Sequence, residues 1–450
     1  MPKIELYTQS AYNPKRVIIT TALRDRLKLA VKPERLYFGL AEARIVAEVV
    51  EDERELLIIT PKLAKKLGLV LIKNIKVDFL PRQAALYLGP MLGIMVSRIN
   101  QYAEEPFGVI NEFVEECDLV AKKRGIKLVV FTPEHVDLQR ARLGAWHSTE
   151  QGWFYNETTL PQVIYNRLSS RKYEEQKNVQ RILAGLTKRY NIPVFNVGFL
   201  NKLEVFEAFS SSNFTRKLLP ETARLTKKVL YQYLADYDVL YLKPSRGSLG
   251  RGIMKVTCEA GGWFLKWLVN DTVKNKFFTS RKLLALFITR KTKKNCYLVQ
   301  QGIDLAAIEG QAFDFRILVQ RRPDFTWQVT TLVARVSKKG CVVSNVARGA
   351  TVLSAKEALQ QAELLSRCST QDLKQTSLKI MQVFDKVMAG HFAEIGIDLA
   401  VDKKGKIWLL ELNAKPSKLP KKNTPNFYKN PGPRASVYPL MDYVEQCAHF

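Results

Sequence analysis

The chain has 450 residues, an apolar share of 46% and a formal charge of +27, so two or three domains are expected and wholesale disorder is excluded. No apolar run approaches the roughly 18 residues of a membrane span and the first residues lack the apolar core of a secretory signal. Six scattered cysteines and four histidines make no C-x-x-C pair, which offers no zinc site and fits a reduced, cytosolic-type compartment.

In chain order, residues 44–51, 55–60 and 85–88 alternate apolar and polar side chains and predict short strands, hence a small β-rich domain over 1–88. Texture changes at LGPMLGIMVS. A buried-type strand there is followed by a helical pattern over 107–125 and a strand over 126–133. Strands at 153–156, 162–166 and 192–197 surround a helix over 173–190. This is βαβ texture and predicts an α/β domain over 89–200. Helices and strands mix from 201 to 450, ending in a short helix near 438–447. Between 264 and 295 nine lysines and arginines face one acid, Asp271. The charge favours an anionic partner, but no zinc-finger, RRM or KH signature accompanies it, which argues against specific nucleic-acid binding. A solvated basic surface is the plainer account.

Four stretches in the C-terminal half carry chemistry. In YLKPSRGSLGRGIMKV, three glycines beside Lys243 can bring bare backbone N–H groups to a phosphate chain. Gly247, Gly250 and Gly252 fit neither a Walker loop nor a dinucleotide fingerprint. A strand over 239–243 aims Lys243 along the loop, whose candidate contacts are Ser245, Gly247, Ser248, Gly250 and Gly252. YLVQQGIDL is a strand running into a polar break, as a purine requires of a hinge; Gln300, Gln301, Gly302 and Asp304 are the candidates. In FDFRILVQR, Asp314 and Arg316 share a strand face while Phe313, Phe315 and Ile317 point the other way. A guanidinium so held can clamp phosphate or carboxylate. Arg335, Asn345 and Arg348 follow around a hairpin.

The fourth stretch, EIGIDLAVDKKGKIWLLELNAKP, predicts two strands joined by a turn over 402–405. That register puts Asp398 on the face of Glu411 and Asn413, with Ile397, Leu399, Val401, Trp408, Leu410 and Leu412 on the core side. Two carboxylates and an amide oxygen, without histidine or cysteine, suit Mg2+. Taken singly, the first three stretches are also explained by a turn, a strand end and a surface ion pair, whereas charges on the otherwise apolar strands of the fourth are costly unless compensated.

Lys243, the GSLGRG loop, D-x-R and E-L-N in this order resemble an ATP-grasp ligase. LGPMLGIM, VIYNR, PVFN, NKLEVFEAF and LPET extend the likeness to the YheC/YheD family of endospore coat-associated ATP-grasp proteins. The resemblance implies an α+β ATP-grasp fold of two subdomains over 201–450, preceded by an α/β domain. It implies that Lys202 and Lys243 meet ATP phosphates and that the loop 245–252 covers them. Gln300 to Gly302 would hold adenine, Arg316 would stabilise the transferring phosphoryl group, and Asp398, Glu411 and Asn413 would bind magnesium. Two departures stand out: glutamines where many such ligases carry a glutamate for the ribose, and Lys415 where glutamate-ligase relatives have a small residue near the acceptor. The implied reaction joins a carboxylate to an amine or thiol, with ATP and Mg2+. A nucleotide-binding coat or scaffold protein, or a basic polyanion-binding protein, are the rival readings.

Overall fold

A computed structural model of the chain describes residues 3–6, 13–70, 74–246, 252–269, 272–293, 295–337, 351–418 and 432–448. The N-terminal part forms two four-stranded sheets. The predicted strands appear as Val46–Val50, Leu56–Ile59 and Ala85–Leu88. Two short helices, Thr21–Arg26 and Pro61–Leu67, join them, each started by a threonine hydroxyl that accepts a backbone N–H of the first turn.

The next sheet begins at Met91–Met95, a fully buried strand flanked in parallel by Lys127–Phe131 and Val163–Asn166. Unbroken apolar runs are what a parallel strand covered on both faces needs. The strand Arg142–Thr149, which the sequence pattern did not reveal, pairs with Lys127–Phe131 and with Gly152–Thr159. The helix expected over 173–190 is broken into Arg171–Glu174, Lys177–Ala184 and a wide turn at Gly185–Arg189. Its break follows Glu174, whose buried carboxylate is drawn inward by Asn166 (2.6 Å) and Lys415 (2.7 Å).

The last helix, Val437–Cys447, shares a core with Phe113, Val114 and Cys117 of the helix Asn111–Arg124. The helix near the chain end therefore packs on the middle domain. The division into three parts remains our proposal.

Two antiparallel sheets make up the rest. One of them, the lobe sheet, is ordered Thr222–Arg224, Tyr297–Gln301, Val239–Pro244, Met254–Glu259, Gly262–Val269, Thr272–Phe278. The helices Lys227–Asp236 and Arg281–Thr292 contribute to its core. The last sheet is ordered Thr351–Ser354, Trp327–Val336, Gln311–Arg321, Glu394–Val401, Ile407–Asn413. Residues of the helices Lys202–Ser210 and Thr370–Val387 fill its apolar face together with Phe313, Phe315 and Ile317. Asn196, fully buried, fastens this sheet to the middle domain. Its Oδ1 accepts the N–H groups of Ala393 (3.0 Å) and Glu394 (3.3 Å), and its Nδ2 donates to the carbonyls of Glu394 and Ala414.

Candidate functional site

The polar face of the last sheet carries a row of opposed charges. Strand register sets Arg316 opposite Asp398, and Asp398 opposite Glu411. Arg316 donates to both Asp398 oxygens, at 2.5 and 3.0 Å. Arg335 clamps Asp314 at 2.6 and 2.8 Å and stands 3.2 Å from the second Asp398 oxygen. Asp314, Arg335 and Asp398 are buried. Burial pushes the Asp398 carboxyl up, but Arg316 and Arg335 outweigh it and hold it below the ordinary carboxylate range.

The face is reached by a route different from the expected one. The strands pair Val401 with Ile407, so the turn is 402–406, one residue longer than expected. Asp402 shapes it, its Oδ1 accepting the N–H groups of Lys404 and Lys406, both at 2.9 Å. Gly405 closes it at φ +86. An odd turn alone would send Asp398 to the wrong side; a bulge after Asp398 absorbs Leu410 and restores the register. In consequence Leu409 is buried in the core, Ile407 packs against it, and Trp408 and Leu410 are only partly buried. This corrects the core assignment of Trp408 and Leu410 while leaving Asp398, Glu411 and Asn413 on one face.

Lys202 reaches the row, and Lys243 lies in its electrostatic field. Lys202 opens the helix Lys202–Ser210, which is capped by Asn201. Its ammonium donates to Glu411 at 2.8 Å and its backbone N–H to the Ser245 carbonyl at 3.2 Å. Lys243, on the lobe strand Val239–Pro244, donates to Gln300 Oε1 at 2.5 Å. Burial lowers its pKa to about 8, with Glu411 opposing, Lys202 assisting and Asp398 opposing. Lys243 therefore lies within the field of the same carboxylates. If Lys243 meets phosphate as the resemblance implies, the charged amine is the binding form, and it is lost as pH rises through about 8. ATP affinity should accordingly fall from about pH 7 to about pH 9, and Lys243→Arg should flatten the profile; a wild-type affinity independent of pH would remove Lys243 from the phosphate contacts.

The remaining candidates divide. Gln300 lies beside Lys243, and its amide donates to the Thr222 hydroxyl at 2.9 Å. The N–H groups of Gln301 and Gly302 are engaged by the carbonyls of Glu221 (2.9 Å) and Val239 (2.6 Å), and Gln301 Oε1 accepts from Glu221 N at 2.7 Å. These bonds occupy the two N–H groups, and an adenine contact by Gln300 to Gly302 remains a proposal. A Cβ on Gly302 would sit 2.5 Å from Val239, so that glycine serves close strand packing. Asp304 stands on the surface in an ion pair with Lys403 at 2.9 Å and takes no part in the Lys243–Gln300 contact. Ser245 is buried, its N–H donating to the Cys296 carbonyl. Gly247, Ser248, Gly250, Asn345 and Arg348 lie outside the described residues. Gly252 has φ +75, and a Cβ there would stand 3.0 Å from the Tyr297 hydroxyl. Gly252→Ala should cost about 1 kcal/mol of stability and weaken ATP in a nucleotide titration; normal ATP binding would make this residue an ordinary turn.

For magnesium, the donor set of Asp398, Glu411 and Asn413 is hard and of the right kind. No cluster of three or more His, Cys, Asp or Glu occurs among the described residues. Asp398 meets its arginines with both oxygens and would have to share one with an ion. Sequence reasoning assigned no role to Glu394, although 394, 396 and 398 alternate onto one face and E-x-G-x-D shows it.

The model of the YheC/D like ATP-grasp family matches residues 191–443. The chain is 28% identical over 423 residues to the endospore coat-associated protein YheD of Bacillus subtilis (strain 168), covering 90% of this chain and 91% of that one. It is 22% identical over 307 residues to YheC of the same organism, covering 66% and 83%. Solved structures that resemble it include D-alanyl-alanine synthetase A from Vibrio cholerae, at 12% identity, TM-score 0.48 and 80% and 99% coverage. Another is VanG D-Ala:D-Ser ligase from Enterococcus faecalis, at 10% identity, TM-score 0.48 and 79% and 99% coverage. With the match spanning the lobe, the charged row and both lysines, the chain belongs to the YheC/D-like ATP-grasp family.

Proposed function

We propose that the protein is an ATP- and magnesium-dependent ligase that joins a carboxylate to an amine or thiol through an acyl phosphate. The observation that carries this reading is the gathering of Lys202, Arg316, Asp398 and Glu411, from one helix and one sheet, into one charged row, with Lys243 of the lobe sheet in its electrostatic field. Lys243 and Lys202 hold the polyphosphate. Arg316 faces the transferring phosphoryl group as a substrate carboxylate oxygen attacks its phosphorus in line, releasing ADP. The incoming amine or thiol then attacks the acyl carbon, and phosphate leaves. No protein nucleophile is needed, so the chain's task is positioning and charge stabilisation. Magnesium, held by Glu411 and Asn413 with Asp398, would supply further neutralisation of phosphate charge.

The names of the YheD and YheC relatives lead us to propose association with the endospore coat. Among the described residues no helix is long and apolar enough to cross a membrane. One observation favours a second reading, a nucleotide-binding coat protein without turnover: both Asp398 oxygens are engaged by arginines.

Mg-ATP at about a hundred times its Kd should stabilise the fold by roughly 2.7 kcal/mol, and Lys243→Met should abolish most of the melting shift. ADP release, screened against pools of amino acids, peptides and wall precursors, separates the two readings. Stabilisation without release under any pool supports the non-catalytic one; no stabilisation defeats both.

A further inference from the structure

The lobe sheet ends at the strand Thr272–Phe278, whose first six residues are exposed, and among the described residues no strand pairs with its outer side. A strand so placed presents free N–H and C=O groups to any chain that can lie beside it. This end of the sheet is basic. Nine lysines and arginines and one acid, Glu259, are described between 252 and 293, and among the described residues none of the nine stands in an ion pair. Several rest on aromatic rings instead. Lys276 Nζ is 5.3 Å from the centre of the Phe278 ring, and Lys291 Nζ is 4.7 Å from that of Trp267. Both lysines are exposed, so the stems cover apolar surface while the ammonium groups stay in water.

Positive charge lies on both faces of this edge. Lys274 and Lys276 alternate with Phe278 onto the side covered by the helix Arg281–Thr292. On the other side Asn275 stands opposite Lys266, Lys266 opposite Lys255, and Lys255 opposite Tyr241. That is the face of the sheet that carries Lys243. Lysines set directly opposite each other repel. Burial, and then Lys266, hold Lys255 below the ordinary lysine range. Phe264 and Phe277 form a second opposed pair on this face, and Phe277 is 42% exposed.

We propose that the edge strand Thr272–Phe278 receives an acidic polypeptide segment, which adds to the six-stranded lobe sheet as a further strand. The inference is independent of the ligase reading. Main-chain bonds hold the segment along the edge. Its alternate side chains fall beside Lys274 and Lys276 on one face and beside Asn275 and Phe277 on the other, with Lys266 one strand further in. The lysines decide against a second copy of this chain, which brings the same basic edge and is repelled. A nucleic acid uses the charge but leaves the edge N–H and C=O groups unpaired, whereas an acidic strand uses both. Seven residues at about 3.4 Å each set the length of the segment at about 24 Å.

The test is fluorescence anisotropy on the full chain at about 0.15 M salt, with a labelled peptide of about seven residues that alternates glutamate and valine. The wild type should bind it about tenfold or more tightly than the counterpart with glutamine in place of glutamate. Lys274→Glu combined with Lys276→Glu should erase that preference, with a melting temperature within about 2 °C of the wild type, as two exposed side chains allow. Two further peptides carry N-methyl groups along one backbone edge or the other. An added strand pairs through one edge only, so one of them should bind at least about tenfold more weakly and the other within about threefold of the parent. These peptides are read on the wild type and decide alone should the variant lose stability. No preference for the acidic peptide, a preference undiminished in the variant, or equal binding of both methylated peptides overturns the proposal. A single-stranded oligonucleotide of the same charge that binds more tightly than the peptide, and is lost in the variant, overturns it in favour of a nucleic acid.

Discussion

Glu411→Gln should lower ADP release by about 10²–10³-fold, the usual effect of removing one group that stabilises transition-state charge. The substitution removes a charge at nearly constant shape, from a position opposite Asp398 and 2.8 Å from the Lys202 ammonium. Stability should change little. The Lys202–Glu411 side chains are 19% and 32% exposed, so water can solvate what the lost carboxylate leaves behind. Partly exposed pairs of this kind contribute about 0–1 kcal/mol. Turnover and the melting temperature, measured on the same preparation, should therefore part company. Parallel losses in both would mean that Glu411 holds the fold; unchanged turnover would place the reacting phosphate elsewhere.

Glu394→Gln should do the reverse, destabilising the junction of the middle domain and the last sheet by about 3–5 kcal/mol. It leaves Lys418 and Arg167 buried with no counter-charge, and it takes an acceptor from Tyr165 or Gln320. Burial raises the Glu394 carboxyl, but Lys418 and then Arg167 outweigh it and bring the group below its ordinary value. A carboxylate whose folded pKa is depressed stabilises fully above its unfolded value. That contribution fades as pH falls through the folded one. The wild type should therefore lose stability in acid below about pH 4, and the variant should show a shallower acid limb. Hydrogen exchange at 163–167 and 394–401 reads this junction directly, without assuming that so long a chain unfolds in one step. A loss below about 1 kcal/mol would show that water can replace the carboxylate.

Much of the fold was legible because its signals are local. The run Met91–Met95, the alternation of Phe313, Phe315 and Ile317, and the pair Glu411 and Asn413 all follow from strand periodicity. The Asp398–Glu411 pairing was legible only by compensation. The turn is longer than it reads, and the bulge at Leu410 that repairs it is a tertiary choice between core and site. The backbone pairing at Gln300 to Gly302 was not legible for a related reason. Its strand lies between two others, Thr222–Arg224 and Val239–Pro244, and nothing in YLVQQG announces that the N–H groups at its end are paired. Arg167 and Glu394 escaped notice because their meaning is a contact across 227 positions of chain.

Asn196 has a mechanical consequence. One buried amide grips the backbone at Ala393, Glu394 and Ala414, two strands' worth of the last sheet, from the end of the middle domain. Lys415 adds a second rivet through Glu174 and Asn166, and the helix Val437–Cys447 a third. Middle domain and last sheet are thereby fastened to each other at three places. If the proposed nucleotide binding needs an opening, the sheet of Thr222–Arg224, Val239–Pro244 and Tyr297–Gln301, which none of these three fastenings touches, is the part expected to move.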